Sequence, residues 1–448
     1  MPNPRNVALQ VLLKIENDKA YSNIALNNAI RENKLKGVDS AFVSALVYGV
    51  LERQITLDYI IKQYSKIPLR KIETKTKLIL RMGVYQLVYM DKIPDSAAVN
   101  ESVNLAKKHR LQKSAGFING ILRSVTRAEQ RLVLPDTDDK IYCLSVKYSA
   151  PQELIRLWQK SYGADNAEKL LQSLSGRPKM CARVNTLKTN ADALIEKLEA
   201  EGVGCEKSEL IENALILTRT GSIENLSAYK EGLFHIQDLS SQLCVSFLDP
   251  KQRDVVLDVC SAPGGKAATA AQYMQNRGKI YACDLYDHKL KLIRANAQRL
   301  GAENIVASKR DAAKADAALP LADKILCDVP CSGLGILSRK PEIRCKSDII
   351  DNDLPEIQYK ILCQSAKNLA VGGRLIYSTC TLNPAENNEN AARFLKEHKN
   401  FRGASLKLPD GVKRAFDEQD YEITLMPHTA GCDGFYTAAF ERVAADDG

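Results

Sequence analysis

From about residue 235 onward, short apolar runs alternate with longer stretches of helical periodicity, and this alternation restricts the fold more than any other feature. The strand-like runs are 255–259, 280–283, 305–307, 325–327 and 374–378. Strands separated by helix-length segments cannot pair as hairpins. They line up in parallel, with the crossover helices covering both faces of the sheet. Two further runs, 423–426 and 434–440, are close enough in sequence to close the sheet as an antiparallel pair.

The rest of the chain follows other rules. In residues 5–130 the apolar positions recur at helical spacing, as in Val7, Ala8, Val11, Leu12 and Ile15, or Phe117, Ile118, Ile121, Leu122 and Val125. Leu78 to Met90 is apolar almost all round, as a central buried helix would be. Gly37, Pro68, Pro94 and Gly116 punctuate the pattern. A polar stretch, Leu134 to Asp139, marks a boundary. Beyond it, strand-like runs at 180–185 and 214–217 flank a helix pattern near 190–200, which describes a small α+β module. The expected domains are therefore 1–137, all-helical, then 138–233, α+β, then 234–445, α/β.

The charge is unevenly distributed among these parts. The net charge is +9, but residues 1–150 hold 24 Lys and Arg against 14 Asp and Glu, while the remainder holds 39 against 40. The basic excess belongs to the helical third. It fits either a solvated helical surface or a patch that attracts nucleic acid phosphates. The 12 cysteines form no CxxC pair, and the five histidines do not fall at zinc-ligand spacing beside them. No apolar run approaches a membrane span, and the N-terminus lacks a signal-peptide core. The expectation is a reduced, cytoplasmic protein with neither metal nor membrane attachment.

The best-defined motif runs Val255-Val256-Leu257-Asp258-Val259-Cys260-Ser261-Ala262-Pro263-Gly264-Gly265-Lys266. It reads as a buried strand, a tight glycine turn and a helix starting near Ala267. In such sheets ligands bind at the carboxyl ends of strands. The next strand ends at Asp284, where a carboxylate can accept hydrogen bonds from ribose hydroxyls. The third leads to Asp311, a polar group suited to an adenine edge. The glycine spacing is not that of a dinucleotide site, so a smaller adenosyl ligand fits better. Lys266 is either a solvated lysine or a ligand contact, the first being disfavoured so near a helix N-terminus.

Two segments carry nucleophiles at neighbouring strand ends: Asp328-Val329-Pro330-Cys331-Ser332-Gly333 and Ser378-Thr379-Cys380-Thr381. With the Cys260–Lys266 run, and with Gln237 to Gln242, Arg183 to Leu187, Pro384 to Glu389 and Asp433 to Phe435, they resemble the RNA cytosine-5 methyltransferases of the NOL1/NOP2/Sun family. The helical N-terminus resembles an RNA-binding NusB domain. The pairing implies a class I, Rossmann-like, S-adenosylmethionine-dependent enzyme acting on 16S rRNA. The resemblance also implies that residues 260–266, with Asp284, Asp311 and Asp328, bind that cofactor.

Carbon 5 of cytosine is a poor nucleophile. A thiolate that adds to carbon 6 makes carbon 5 enamine-like, so that it can attack a sulfonium methyl. The resemblance gives this attack to Cys380 and the later release to Cys331. Asp328 is suited to hold the base, either as a protonated carboxyl or by sharing a proton with N3. Arg339, Lys340, Arg344 and Lys346 read as a solvated loop or as phosphate contacts. Three rivals remain at this point: a DNA cytosine-5 methyltransferase with Cys331 attacking, a tRNA methyltransferase, and a non-catalytic RNA-binding assembly factor.

Overall fold

The computed structural model describes residues 3–176, 178–314, 319–346, 349–350 and 352–445. They form two compact units: residues 1–177 with 337–350, and residues 178–336 with 351–448.

The first unit is built from helices. Pro4–Asp18, Gly37–Glu52, Gln54–Tyr64, Thr74–Tyr89 and Gln112–Arg127 pack around a core that includes Leu12, Leu46, Leu57, Ile79, Leu80 and Leu122. Thr74–Tyr89 is the central helix, apolar around most of its circumference because neighbours surround it. Its buried Arg81 forms a bidentate pair with Asp58 through Nε and Nη2, both contacts at 2.7 Å. Gly116 does not break a helix as expected. It lies inside Gln112–Arg127, where a Cβ would meet nothing within 4 Å, so only the intrinsic propensity cost of about 1 kcal/mol applies. The helices Lys140–Tyr148, Gln152–Tyr162 and Ala164–Ser173 also fall in this unit.

The second unit holds two sheets. The smaller has strands β1 (Met180–Val184), β2 (Gly204–Lys207), β3 (Ala214–Thr218) and β4 (Phe234–Ile236), in the order β2-β3-β1-β4 and antiparallel throughout. With the helix Ala191–Ala200 it encloses Val184, Leu194, Leu198, Leu215 and Phe234. The larger has β5 (Val255–Asp258), β6 (Lys279–Asp284), β7 (Ile305–Lys309), β8 (Ala322–Asp328), β9 (Leu369–Thr379), β10 (Phe401–Gly403), β11 (Glu422–Leu425) and β12 (Phe435–Arg442). Its order is β10-β12-β9-β8-β5-β6-β7, with β11 on β12. The run from β9 to β7 is parallel, and β12 joins β9 antiparallel.

Alternate residues of the central strands enter different cores. Val256, Leu326 and Ile376 face one, while Leu257, Ile325, Cys327 and Tyr377 face the other. Both faces are therefore covered, and the strands read as continuous apolar runs. The order reverses at β5: the chain first builds outward through β6 and β7, then returns to lay β8 and β9 on the other side. Such a switch point opens a crevice at the carboxyl ends of the strands.

The two sheets of this unit are joined by polar contacts. The Asn185 amide donates to the carbonyls of Gly232 and Leu300, each at 2.7 Å. Arg299 donates to the carbonyls of Tyr229 and Phe234. No helix among the described residues is long and apolar enough to cross a membrane.

Candidate active site

Five neighbouring strand ends carry the residues singled out from the sequence. In spatial order they are Cys380 after β9, Asp328 and Cys331 at and after β8, the glycine turn after β5, Asp284 ending β6 and Asp311 after β7. The nucleophiles therefore lie on one side of the switch point and the adenosyl-type residues on the other.

The turn is shaped by backbone constraints. Ser261 N–H donates to Cys283 O at 2.8 Å, and Gly264 N–H donates to Ser261 O. Gly264 has φ +95°, where an L side chain is strained, and a Cβ there would also make a tight 3.3 Å contact with the Ile293 Cα. The helix Gly265–Tyr273 starts two residues earlier than expected. At Gly265 a Cβ would make only ordinary contacts, with Gln237 at 3.8 Å and His235 at 3.9 Å. Those two residues belong to a buried cluster behind the helix. Thr269 donates to Gln237 Oε1 at 2.7 Å, and burial lowers His235 to about 3, which keeps the ring neutral.

Asp284 is buried beside this turn. Its carboxylate accepts from the Ala262 and Tyr286 amides, with Lys289 Nζ at 3.5 Å. Asp311 is more open. It accepts from the Ala313 amide at 3.1 Å and pairs with Lys314 at 3.2 Å. Asp258, for which no role was read from the sequence, is 1% exposed. Burial raises it to about 7, with Ser261 lowering it and the charge of Asp328 raising it. The thiol of Cys260 is pushed far up, also by burial, and stays protonated. A tight glycine turn flanked by the carboxyl groups of Asp258, Asp284 and Asp311 suits a compact cationic ligand bearing hydroxyls. S-adenosylmethionine meets that description.

Lys266 is not a solvated lysine. Its Nζ lies 2.7 Å from Asp328 Oδ2 and 5.4 Å over the Phe435 ring. Burial pulls the ammonium down, but Asp328 more than offsets this, so its affinity for the proton rises above that of an ordinary lysine. The other oxygen of Asp328 accepts from Ser378 Oγ at 2.8 Å. Asp328 is thus an acceptor on both sides. This arrangement suits a carboxylate in an ion pair better than the protonated carboxyl also expected for it.

Cys331 Sγ and Cys380 Sγ are 3.2 Å apart. The Cys331 thiol is held well above its ordinary range, first by its hydrogen bond to Cys380 and then by burial. Cys380 follows the last ladder positions of β9, where Ser378 pairs with Asp328 of β8 and Thr379 with Tyr436 of β12. Cys331 sits instead on a loop. Gly335 anchors that loop by donating to Cys380 O and accepting from Gly434 N–H, and a Cβ on Gly335 would collide with Gly434 O. The pairing of Ser332, Thr381 and Glu386 was not foreseen. Glu386 lies in the Pro-Ala-Glu-Asn run, six residues past Cys380, and that spacing was the available signal.

The basic loop needs a correction. Arg344 is 5% exposed and donates to the carbonyls of Glu52, Leu174 and Leu337, all within the helical unit, so it holds that unit together and is not a phosphate contact. Lys340 lies 5.1 Å over the Tyr21 ring, and Lys346 is exposed. Among the described residues no group of three or more His, Cys, Asp or Glu is placed to hold a metal.

Comparison with known proteins gives a consistent picture. Residues 245–441 match the family described as 16S rRNA methyltransferase RsmB/F, residues 2–127 the NusB family, and residues 150–224 the ferredoxin-like domain of RsmF/B-like methyltransferases. The chain is 38% identical over 447 residues to a probable ribosomal RNA small subunit methyltransferase B of Bacillus subtilis, covering 98% of each chain. A relative of the same description from Synechocystis is 34% identical, with 99% of this chain and 100% of the relative covered. Among solved structures, a methyltransferase homolog protein from Pyrococcus horikoshii has a TM-score of 0.60 at 27% identity, spanning 68% of this chain and 100% of its own.

Proposed function

The chain belongs to the ribosomal RNA small subunit methyltransferase B family, and from that premise we propose that it methylates carbon 5 of a cytosine in 16S rRNA by covalent catalysis. As a member it is an S-adenosylmethionine-dependent rRNA methyltransferase. The chemistry at carbon 5 and the residue roles are our reading.

The observation that carries this reading is the 3.2 Å approach of Cys331 and Cys380 beside the Lys266–Asp328–Ser378 chain. A methyltransferase acting on an exocyclic nitrogen or a ribose hydroxyl needs no thiol, and two thiols in contact beside a carboxylate suit a reaction that both makes and breaks a carbon–sulfur bond. In this scheme the Cys380 thiolate bonds to carbon 6 of the base, the electron pair of the carbon 5–carbon 6 bond is drawn toward N3, and a proton that Asp328 contributes to or shares with N3 stabilises that charge. When bound, S-adenosylmethionine supplies the electrophilic methyl that carbon 5 takes up. The carbon 5 proton then passes to a water molecule, its electron pair re-forms the carbon 5–carbon 6 double bond and the Cys380 thiolate is expelled, with Cys331 assisting this release. Lys266 keeps Asp328 oriented and compensates its charge in a largely buried site. The turn 260–266 with Asp284 and Asp311 would hold the cofactor.

Trapping on RNA that contains 5-fluorocytosine tests the assignment. Cys380→Ala is expected to abolish both methyl transfer and the covalent adduct. Cys331→Ala is expected to accumulate adduct with unmodified RNA. The reverse pattern would exchange the two roles and favour the attack by Cys331 known from DNA-type enzymes. Bisulfite sequencing of 16S rRNA from cells with and without the protein tests the substrate, and an unchanged pattern would remove the 16S assignment.

A further inference from the structure

We infer that Glu386 is the positioning residue that fixes the Cys331 loop against Cys380, and that it controls the release step and not the attack. The inference rests on the cysteine roles proposed above.

Glu386 is fully buried, yet no cation among the described residues pairs with it. Four donors converge on its carboxylate instead. They are Ser332 N–H at 2.9 Å, Ser332 Oγ at 2.5 Å, Gln358 Nε2 at 2.8 Å and Asn383 Nδ2 at 3.0 Å. All four donate, a pattern that only an acceptor-only group satisfies. Its backbone carbonyl is also occupied, by the Tyr377 hydroxyl.

This set of donors imposes a direction on the neighbouring hydroxyls. Ser332 has one hydroxyl proton, and Glu386 takes it. The 2.7 Å contact between Ser332 Oγ and Thr381 Oγ1 must then be donated by Thr381. Thr381 in turn accepts from Leu334 N–H at 3.3 Å. One polarised chain therefore runs from Leu334 through Thr381 and Ser332 to Glu386. Ser332 follows Cys331 and Thr381 follows Cys380, so the chain ties together the residues next to both nucleophiles.

The two cysteines depend on it unequally. Cys380 extends a strand hydrogen-bonded on both sides, by β8 and β12. Cys331 is on a loop, and the side chain that follows it is held by Glu386 and Thr381. Gln358 reinforces this asymmetry, since its amide bridges Glu386 and the carbonyl of Pro330. The charge of Glu386 also favours the protonated form of Cys331, after larger contributions from Cys380 and burial.

Glu386→Gln keeps the shape but turns part of the acceptor into a donor, which must then face Ser332, Gln358 or Asn383. The expected result is an adduct with 5-fluorocytosine RNA that forms within about threefold of the wild-type rate, while release of methylated RNA slows by about 10-fold or more. Site-resolved alkylation should also show the Cys331 profile moved to lower pH, because a neighbouring negative charge is gone. A purely structural role would leave that profile in place. Ser332→Ala, which removes one link and no charge, is expected to slow release without moving the profile. Equal slowing of adduct formation and release, or an unmoved Cys331 profile in Glu386→Gln, would overturn the inference. Retained methylation by Cys380→Ala would instead overturn the cysteine roles themselves, so the two failures are distinguishable. Melting curves and S-adenosylmethionine binding of each variant verify that it is folded.

Discussion

At the residue scale, the site spends stability on buried acids. Asp258 ionises near 3.9 in an unfolded chain, but burial raises it to about 7 in the fold. Between those values the folded state holds more protons than the unfolded one, so this residue makes stability fall as pH rises from about 4 to 7, with no further change above. Asp258→Asn removes the dependence. Urea unfolding at intervals from pH 4 to pH 8 should show the variant gaining on the wild type across that window, by about 2–4 kcal/mol at its upper end. A difference that does not vary with pH would mean that Asp258 is not perturbed. Lys266 and Asp328 show how far single residues could be read from sequence. Each was visible as a motif member, but their pairing was not, because 62 positions separate them and only the adjacency of β5 and β8 brings them together.

At the element scale, the glycine turn after β5 separates two effects that sequence cannot. Gly264→Ala forces a side chain into a left-handed backbone and against Ile293. It should cost about 1–2 kcal/mol from the backbone alone and weaken S-adenosylmethionine binding at least tenfold. Gly265→Ala meets only ordinary contacts within the protein. Calorimetry that shows weakened cofactor binding by Gly265→Ala, with unchanged melting, would assign that glycine to ligand approach; unchanged binding would assign it no role. The parallel core was legible because strands covered on both faces are continuous apolar runs, as 280–283 and 325–327 show. The strands Gly204–Lys207, Phe234–Ile236 and Phe401–Gly403 were not, being three or four residues long and each partly exposed, so that none reads as a continuous apolar run. β9 was read only from Arg374, because Gly372 and Gly373 hide its beginning, yet it starts at Leu369. Glu386 was the clearest loss. Its place in the Pro-Ala-Glu-Asn run was visible, but its burial and its role were not, since its partners are a serine, a glutamine and an asparagine at unrelated spacings.

At the scale of the whole molecule, charge and chemistry are allotted to different parts of the chain. Residues 1–150 carry +10 while the remainder is near neutral. Binding driven by phosphate neutralisation should therefore reside in the helical third, and binding of the cofactor should not respond to salt. Lys107, Lys108, Arg110 and Lys113 are all exposed, clustered where the helix Asp95–Lys108 gives way to Gln112–Arg127. Each phosphate contact contributes about 0.7–0.9 to the slope of log affinity against log salt, so replacing all four with alanine should flatten that slope by up to about 3. Affinity for 16S rRNA should fall most at low salt and converge on the wild type at high salt. Methyl transfer at saturating RNA should be unaffected, because none of the four lies in the unit that holds Cys331 and Cys380. Filter binding from 50 to 200 mM salt measures the slope, and single-turnover methylation measures the chemistry. An unchanged slope would place the RNA contacts elsewhere on the helical third, whereas a slower chemical step at saturation would mean that substrate capture and catalysis are not separately allotted.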